Sequence, residues 1–184
     1  MTSLPRILSI TAGFLLLLSC NNDQQALKSR PKETTILNIA ALDTVEVYNT
    51  PDGFDAVAYR KKPFRLYTSI NVSCASCIAK VNTWDSIYRS MGETPQLALI
   101  PVAQTEDNFE VFKYLFENGT IKSVEIPFFM DGNNEFRNSN RQLIGNQFDF
   151  LLLTDSTNKV LAFEDRSDDA KQIRKLIALT QKNE

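Results

Sequence analysis

The sequence predicts an α/β layer fold, a central sheet with helices packed against it, on three observations. Short apolar stretches of strand length occur through the chain. Between them, apolar residues recur every three or four positions, the spacing of one helix face. The two kinds of segment then alternate along the sequence, the pattern that buries a sheet beneath helices. Residues 35–184 supply about 150 positions for this arrangement, the size of one domain.

Thr44 to Tyr48 and Ala56 to Tyr59 read as short strands around Pro51-Asp52-Gly53, a turn signal. Residues 35–62 are therefore expected to form an N-terminal extension folded as a hairpin. Arg65 to Ile70 is a strand, with Leu66, Thr68 and Ile70 on one face. From Cys74 the period changes, and Ile78, Val81, Trp84, Tyr88 and Met91 form one apolar helix stripe that Gly92 ends. Gln96 to Val102 is almost continuously apolar, as a strand buried on both faces is. A second helix is predicted over Asp107 to Asn118, with Phe109, Phe112 and Phe116 in register. Glu125 to Met130 is a further strand, closed by Asp131-Gly132-Asn133-Asn134. The polar stretch 133–147 gives no clear element. Phe148 to Thr154 and Lys159 to Phe163 make a hairpin across Asp155-Ser156-Thr157-Asn158. The last helix starts after Ser167, with Asp168 and Asp169 in its first turn, and runs to about Lys182.

The N-terminus reads as a targeting segment. Met1 to Arg6 is weakly positive, and Ile7 to Leu18 is apolar but shorter than the roughly 20 residues of a membrane span. The stretch ends in Leu17-Leu18-Ser19-Cys20, which resembles the bacterial lipobox. The resemblance implies a signal peptide over 1–19, lipidation of Cys20, and anchoring to a membrane by acyl chains. Asn21 follows the cysteine where an inner-membrane retention signal would have Asp, which favours the outer membrane. Residues 20–34 are polar and aperiodic, the composition of a flexible tether.

Composition excludes several kinds of chemistry. The chain has no histidine, so Ser/His/Asp catalysis is out. No glycine-rich phosphate loop is present. The formal net charge is −2, and the one basic cluster, Arg60-Lys61-Lys62, reads as a solvated turn, so nucleic acid is not an expected partner. No cofactor is implied.

What remains is Cys74-Ala75-Ser76-Cys77, a CxxC between a strand and a helix. A thiol at a helix start lies beside unpaired N–H groups and the positive dipole end, which favour the thiolate. Cys74 is the expected attacking nucleophile. Cys77 lies one turn on and can resolve a mixed disulfide. An exported location suits this, because disulfides persist outside the cytoplasm.

With that motif in that element order, residues 40 to 182 resemble the thioredoxin fold, and the extra element at 125–147 resembles an insertion of TlpA/ResA-type thiol–disulfide oxidoreductases. The resemblance implies a single three-layer domain, a central mixed sheet with helices on both faces. It also implies thiol- or disulfide-bearing envelope proteins as partners, and an upstream electron donor. The sequence departs from the family pattern at three places. Thr68 stands where many members have a buried carboxylate. Val72 and Ser73 precede the CxxC where tryptophan is usual. Gly145-Asn146-Gln147-Phe148-Asp149 has no proline where a cis-proline should face the cysteines, and Pro127 lies elsewhere. Asp149 is a candidate to face the cysteines in its place, and Lys80 is placed to influence the thiols.

Two other readings of the pair remain. Val72 to Val81 resembles the loop of copper-chaperone domains, in which Cys74 and Cys77 would be the two thiolates of a Cu(I) site. A static disulfide stapling a helix start is the other. Structural zinc needs about four ligands, and the pair offers two.

Overall fold

The computed structural model describes residues 35–73, 75–92, 95–121, 124–145, 149–164 and 170–181, with the backbone alone at 75–77. The predicted leader, the tether and Cys20 lie outside these residues. At the centre stand two long strands, β2 (Phe64–Asn71) and β3 (Leu97–Gln104), paired in parallel from Phe64 opposite Leu97 to Asn71 opposite Gln104. Between them runs α1, the helix Ala75–Met91, in the usual crossover connection of parallel neighbours. Gly92 ends it at φ +58°, a left-handed conformation that glycine adopts without strain.

Four shorter strands complete the sheet. β1 (Glu46–Tyr48) pairs antiparallel with β4 (Phe128–Met130), and β4 pairs in parallel with β3. On the other side, β5 (Leu151–Thr154) is antiparallel to β2, and β6 (Val160–Glu164) is antiparallel to β5. The order is β1-β4-β3-β2-β5-β6, a mixed sheet as expected.

Strand alternation explains why the central runs are apolar throughout. Leu66, Ile70, Leu97, Leu99, Ala103, Leu151 and Leu153 belong to one core. Tyr67, Ala98, Ile100, Val102, Phe150 and Leu152 belong to the other. The first core is closed by α1, by α2 (Glu110–Glu117) and by α3 (Ala170–Gln181), through Trp84, Phe112 and Ile173. The second is closed by Leu37, by a 3-10 turn at Ala40–Asp43, and by two short helices, α4 (Glu135–Ser139) and α5 (Arg141–Ile144). Three layers result. Trp84 is fully buried, in keeping with the packing role its helix position suggests.

Several expectations need correction. Residues 56–60 are not a strand but α6, the short helix Ala56–Arg60, so the N-terminal hairpin does not form. Asp55 decides this locally: its carboxylate accepts hydrogen bonds from Val57 N and Ala58 N and caps the turn. β1 finds its partner in β4 instead. The Arg60-Lys61-Lys62 cluster is not simply solvated, because Arg60 is buried. Its guanidinium donates to Leu42 O, pairs with Asp43 at 3.2 Å, and lies 5.9 Å from the Phe129 ring centre.

The second predicted helix begins late, at Glu110, because Asn108 and Phe109 have φ of +56° and +66°, outside the helical range. The strand predicted from Glu125 is shortened to Phe128–Met130. Its lost part is held by side chains: Asp85 accepts from Glu125 N and Ile126 N, and Asn49 donates to Val124 O and Ile126 O. The unassigned stretch contains α4 and α5. Asp131 caps α4 from four residues away, accepting from Glu135 N and Phe136 N. The predicted start of the last helix at Ser167 lies outside the described residues.

Candidate active site

In open sheets of this kind, sites form beyond the carboxyl ends of the parallel strands. Here that end belongs to β2 and β3, and the sequence Ser73-Cys74-Ala75 carries the chain from β2 into α1. Val72 N donates to Gln104 O at 2.9 Å, extending the β2–β3 pairing one residue beyond the strand. Asn71 Oδ1 then accepts from Ser73 N at 2.9 Å, turning the chain toward the helix. Cys74 itself, and the side chain of Cys77, lie outside the described residues.

Ser73 is the hub of the described part. Its Oγ accepts from Glu106 N at 2.7 Å and lies 3.0 Å from Thr105 Oγ1 and 3.3 Å from Asp107 Oδ1. Thr105 Oγ1 in turn donates to Asp107 Oδ1 and accepts from Asp107 N and Phe109 N. The turn between β3 and α2 is thus fastened to the residue immediately before Cys74. The Thr105 hydroxyl, aided by Ser73 and backbone N–H groups, holds the Asp107 carboxyl below its ordinary range against the opposing effect of desolvation. The sequence offered a faint signal for this in Thr105-Glu106-Asp107, a side-chain turn pattern. The partner, Ser73, is 32 residues from Thr105, a pairing only the fold creates.

On the other flank, Lys80 Nζ lies 2.5 Å from Asp149 Oδ2. The pair joins the second turn of α1 to the chain entering β5, the place where the family pattern has its proline. Two sequence candidates thus meet in one contact, and Lys80 is a partner of Asp149 rather than a solvent-facing side chain alone. Both remain partly exposed, at 28% and 35%. Residues 146–148 lie outside the described region. Pro127 precedes β4, which is separated from β2 by β3, so it does not stand across from the CxxC.

Thr68 is fully buried on β2, on the same alternation as Leu66 and Ile70, facing the layer of α1. Its Oγ1 has no hydrogen-bond partner, and a hydroxyl cannot serve as the proton-accepting carboxylate. Among the described residues, no group of three or more acidic, histidine or cysteine side chains is arranged to hold a metal.

Solved structures place this architecture. The chain superposes on a thioredoxin-like protein in its oxidised form with a TM-score of 0.54 and 17% identity, over 81% of this chain and 99% of that one. StoA from Bacillus subtilis matches with a TM-score of 0.54 and 14% identity, over 72% and 96% of the two chains. A secreted thiol–disulfide isomerase from Corynebacterium glutamicum matches with a TM-score of 0.52 and 12% identity, over 79% and 90%. No protein-family model and no curated protein sequence matches the chain. The fold is thioredoxin-like, as in these solved structures.

Proposed function

We propose that this protein exchanges disulfides with other envelope proteins through Cys74 and Cys77. The observation that carries the reading is the join between β2 and α1 in a thioredoxin-like sheet, where the sequence puts a CxxC. The Cys74 thiolate attacks a partner's disulfide, forming one S–S bond while the departing partner sulfur takes the electron pair and a proton from solvent. Cys77, deprotonated in turn, attacks the Cys74 sulfur and releases the partner as a dithiol. The pair is left oxidised and the partner reduced by two electrons. A dithiol on a second protein would reset it, and the reverse sequence would oxidise a partner.

The leader, the lipobox-like Leu17-Leu18-Ser19-Cys20 and the polar tether support an exported domain held at a membrane through lipid on Cys20. No described helix is long and apolar enough to cross a membrane. Two of the similar structures are of proteins with related chemistry, a secreted thiol–disulfide isomerase from Corynebacterium glutamicum and a thiol:disulfide interchange protein from Bacteroides.

The test is a trap. In cells, Cys77→Ser should accumulate mixed disulfides through Cys74 that a reductant releases, and Cys74→Ser should accumulate none. If Cys77→Ser captures nothing while Cys74 titrates near the free-thiol value of about 8.5, the exchange reading is wrong.

A further inference from the structure

Among the buried side-chain atoms of the described residues that have no hydrogen-bond partner, one belongs to an ionised group: Nη2 of Arg65. Arg65 is 3% exposed and stands near the start of β2, opposite Thr154 of β5. Its Nε donates to Thr154 Oγ1 at 3.3 Å, and its Nη1 donates to Arg60 O at 3.1 Å. Nε and Nη2 share one edge of the planar guanidinium, the fork with which arginine receives anions. Half of that fork is unused.

A second orphan lies close to the same edge. Tyr67, two residues on and on the same face of β2, is fully buried. Its hydroxyl is near Thr154 and within electrostatic reach of Arg65, Arg60 and Asp43, yet it has no hydrogen-bond partner. Burial pushes the phenol up to about 12, against the lowering effect of the two guanidinium groups. At neutral pH the hydroxyl therefore keeps its proton and is a donor.

The charges do not balance. Arg60 is met by Asp43 at 3.2 Å. Asp155 is within electrostatic reach of Arg65, but its Oδ1 closes its own turn, accepting from Thr157 N, Thr157 Oγ1 and Lys159 N. Two buried cations thus have one carboxylate in contact with them, and a buried charge is stable only when paired and hydrogen-bonded.

We propose that Arg65 and Tyr67 bind a small monovalent anion of chloride size, held between the free edge of the guanidinium and the phenol hydroxyl beside Thr154. A water molecule would meet the two orphaned donors but leave the excess charge; an anion answers both. Burial selects the size and the charge. A bulky anion could not be enclosed among side chains this inaccessible, and a dianion would overcompensate a single positive charge. The site lies at the opposite end of β2 from the CxxC, and disulfide exchange plays no part in it, so the two readings stand or fall separately.

The experiment is urea unfolding of the full chain in potassium chloride and in potassium gluconate at equal ionic strength, gluconate being too large to enter. An anion bound only by the folded state lowers the unfolding constant by one plus the ratio of its concentration to Kd, about tenfold when chloride is at roughly nine times Kd. The parent should show this saturable gain in chloride. Tyr67→Phe, which keeps the ring and removes one donor, should weaken chloride binding about fivefold. Arg65→Met should abolish the chloride-specific gain, and Lys113→Gln, which removes an exposed cation elsewhere, should leave it unchanged. As a direct check that needs no variant to fold, crystals of the parent grown in sodium bromide should show an anomalous scattering peak beside Nε and Nη2 of Arg65. Equal stability of the parent in the two salts overturns the proposal. So does a chloride gain that persists in full in both Tyr67→Phe and Arg65→Met, or a bromide-grown crystal with water or a protein carboxylate at that edge.

Discussion

Removing one oxygen atom, in Tyr59→Phe, tests how the open side of β3 is closed. β4 is three residues long and pairs with β3 only at Val102 and Ala103. At Leu99 the same side of β3 has no strand beside it. The Tyr59 hydroxyl takes that place, donating to Leu99 O at 2.9 Å and accepting from Leu99 N at 3.0 Å. Leu99 is fully buried, so the substitution leaves one backbone donor and one acceptor without partners. Each such group costs about 1–3 kcal/mol. The ring, packed 5.1 Å from Phe54, is retained, so no cavity adds to the cost. Tyr59 is half-buried, and water entering from its side will recover part of the loss. The expected destabilisation is about 2–3 kcal/mol. Urea unfolding should show the midpoint lowered by roughly 1–2 M with an unchanged slope. The exposed Tyr114→Phe serves as a control and should stay within about 0.5 kcal/mol of the parent. Burial raises the Tyr59 phenol well above its ordinary value of 10.0, so the cost should not vary between mildly acid and mildly alkaline pH. A destabilisation below about 0.5 kcal/mol, or one that disappears at pH 8, would show that Leu99 does not depend on this hydroxyl.

Substitutions at two further positions probe the core and the caps. Asp131→Ala should cost about 1–2 kcal/mol by removing the cap on α4, measurable by the same unfolding experiment. Asp131→Asn keeps an acceptor and isolates the charge. Burial raises the Asp131 pKa, so the folded state holds the proton more tightly than the unfolded one, and the parent loses stability as pH rises from 3.8 through the raised value. Asp131→Asn should therefore gain on the parent across that window and change little relative to it below 3.8; a gap that widens on acidification would contradict the assignment. Trp84→Ala should cost about 3–5 kcal/mol for the volume lost. Trp84→Phe should cost clearly less, because it also removes a buried indole N–H that has no partner, and equal costs for the two would argue against tight packing there.

The central strands, the α1 stripe and the β5–β6 hairpin were legible because their apolar periods are strong and local. Leu66 to Ile70 and Leu97 to Val102 keep strand character whichever neighbours they find, and burial on both faces removes any reason for polar alternation. The same holds for the CxxC, a local motif whose place after a strand and before a helix can be read from its flanks. Ala56 to Tyr59 misled because its period is ambiguous over four residues, and the deciding group, Asp55, acts through a cap rather than through hydrophobicity. α4 was hidden for a similar reason, since its cap Asp131 stands four residues ahead, behind a left-handed Asn134 at φ +55°.

By itself, the sequence determined the α/β class, the two-sided burial of β2 and β3, and a thiol pair at one strand-to-helix junction. Only the tertiary structure decided what surrounds that junction. It brought Thr105 and Asp107 to Ser73, and Lys80 to Asp149 across 69 residues. It also sent Tyr59 to close the edge of β3, 40 residues away. The physical reason is range: periodicity and capping are set by neighbours in the chain, whereas a hydrogen bond or ion pair between distant segments exists only after the sheet has fixed their ends side by side.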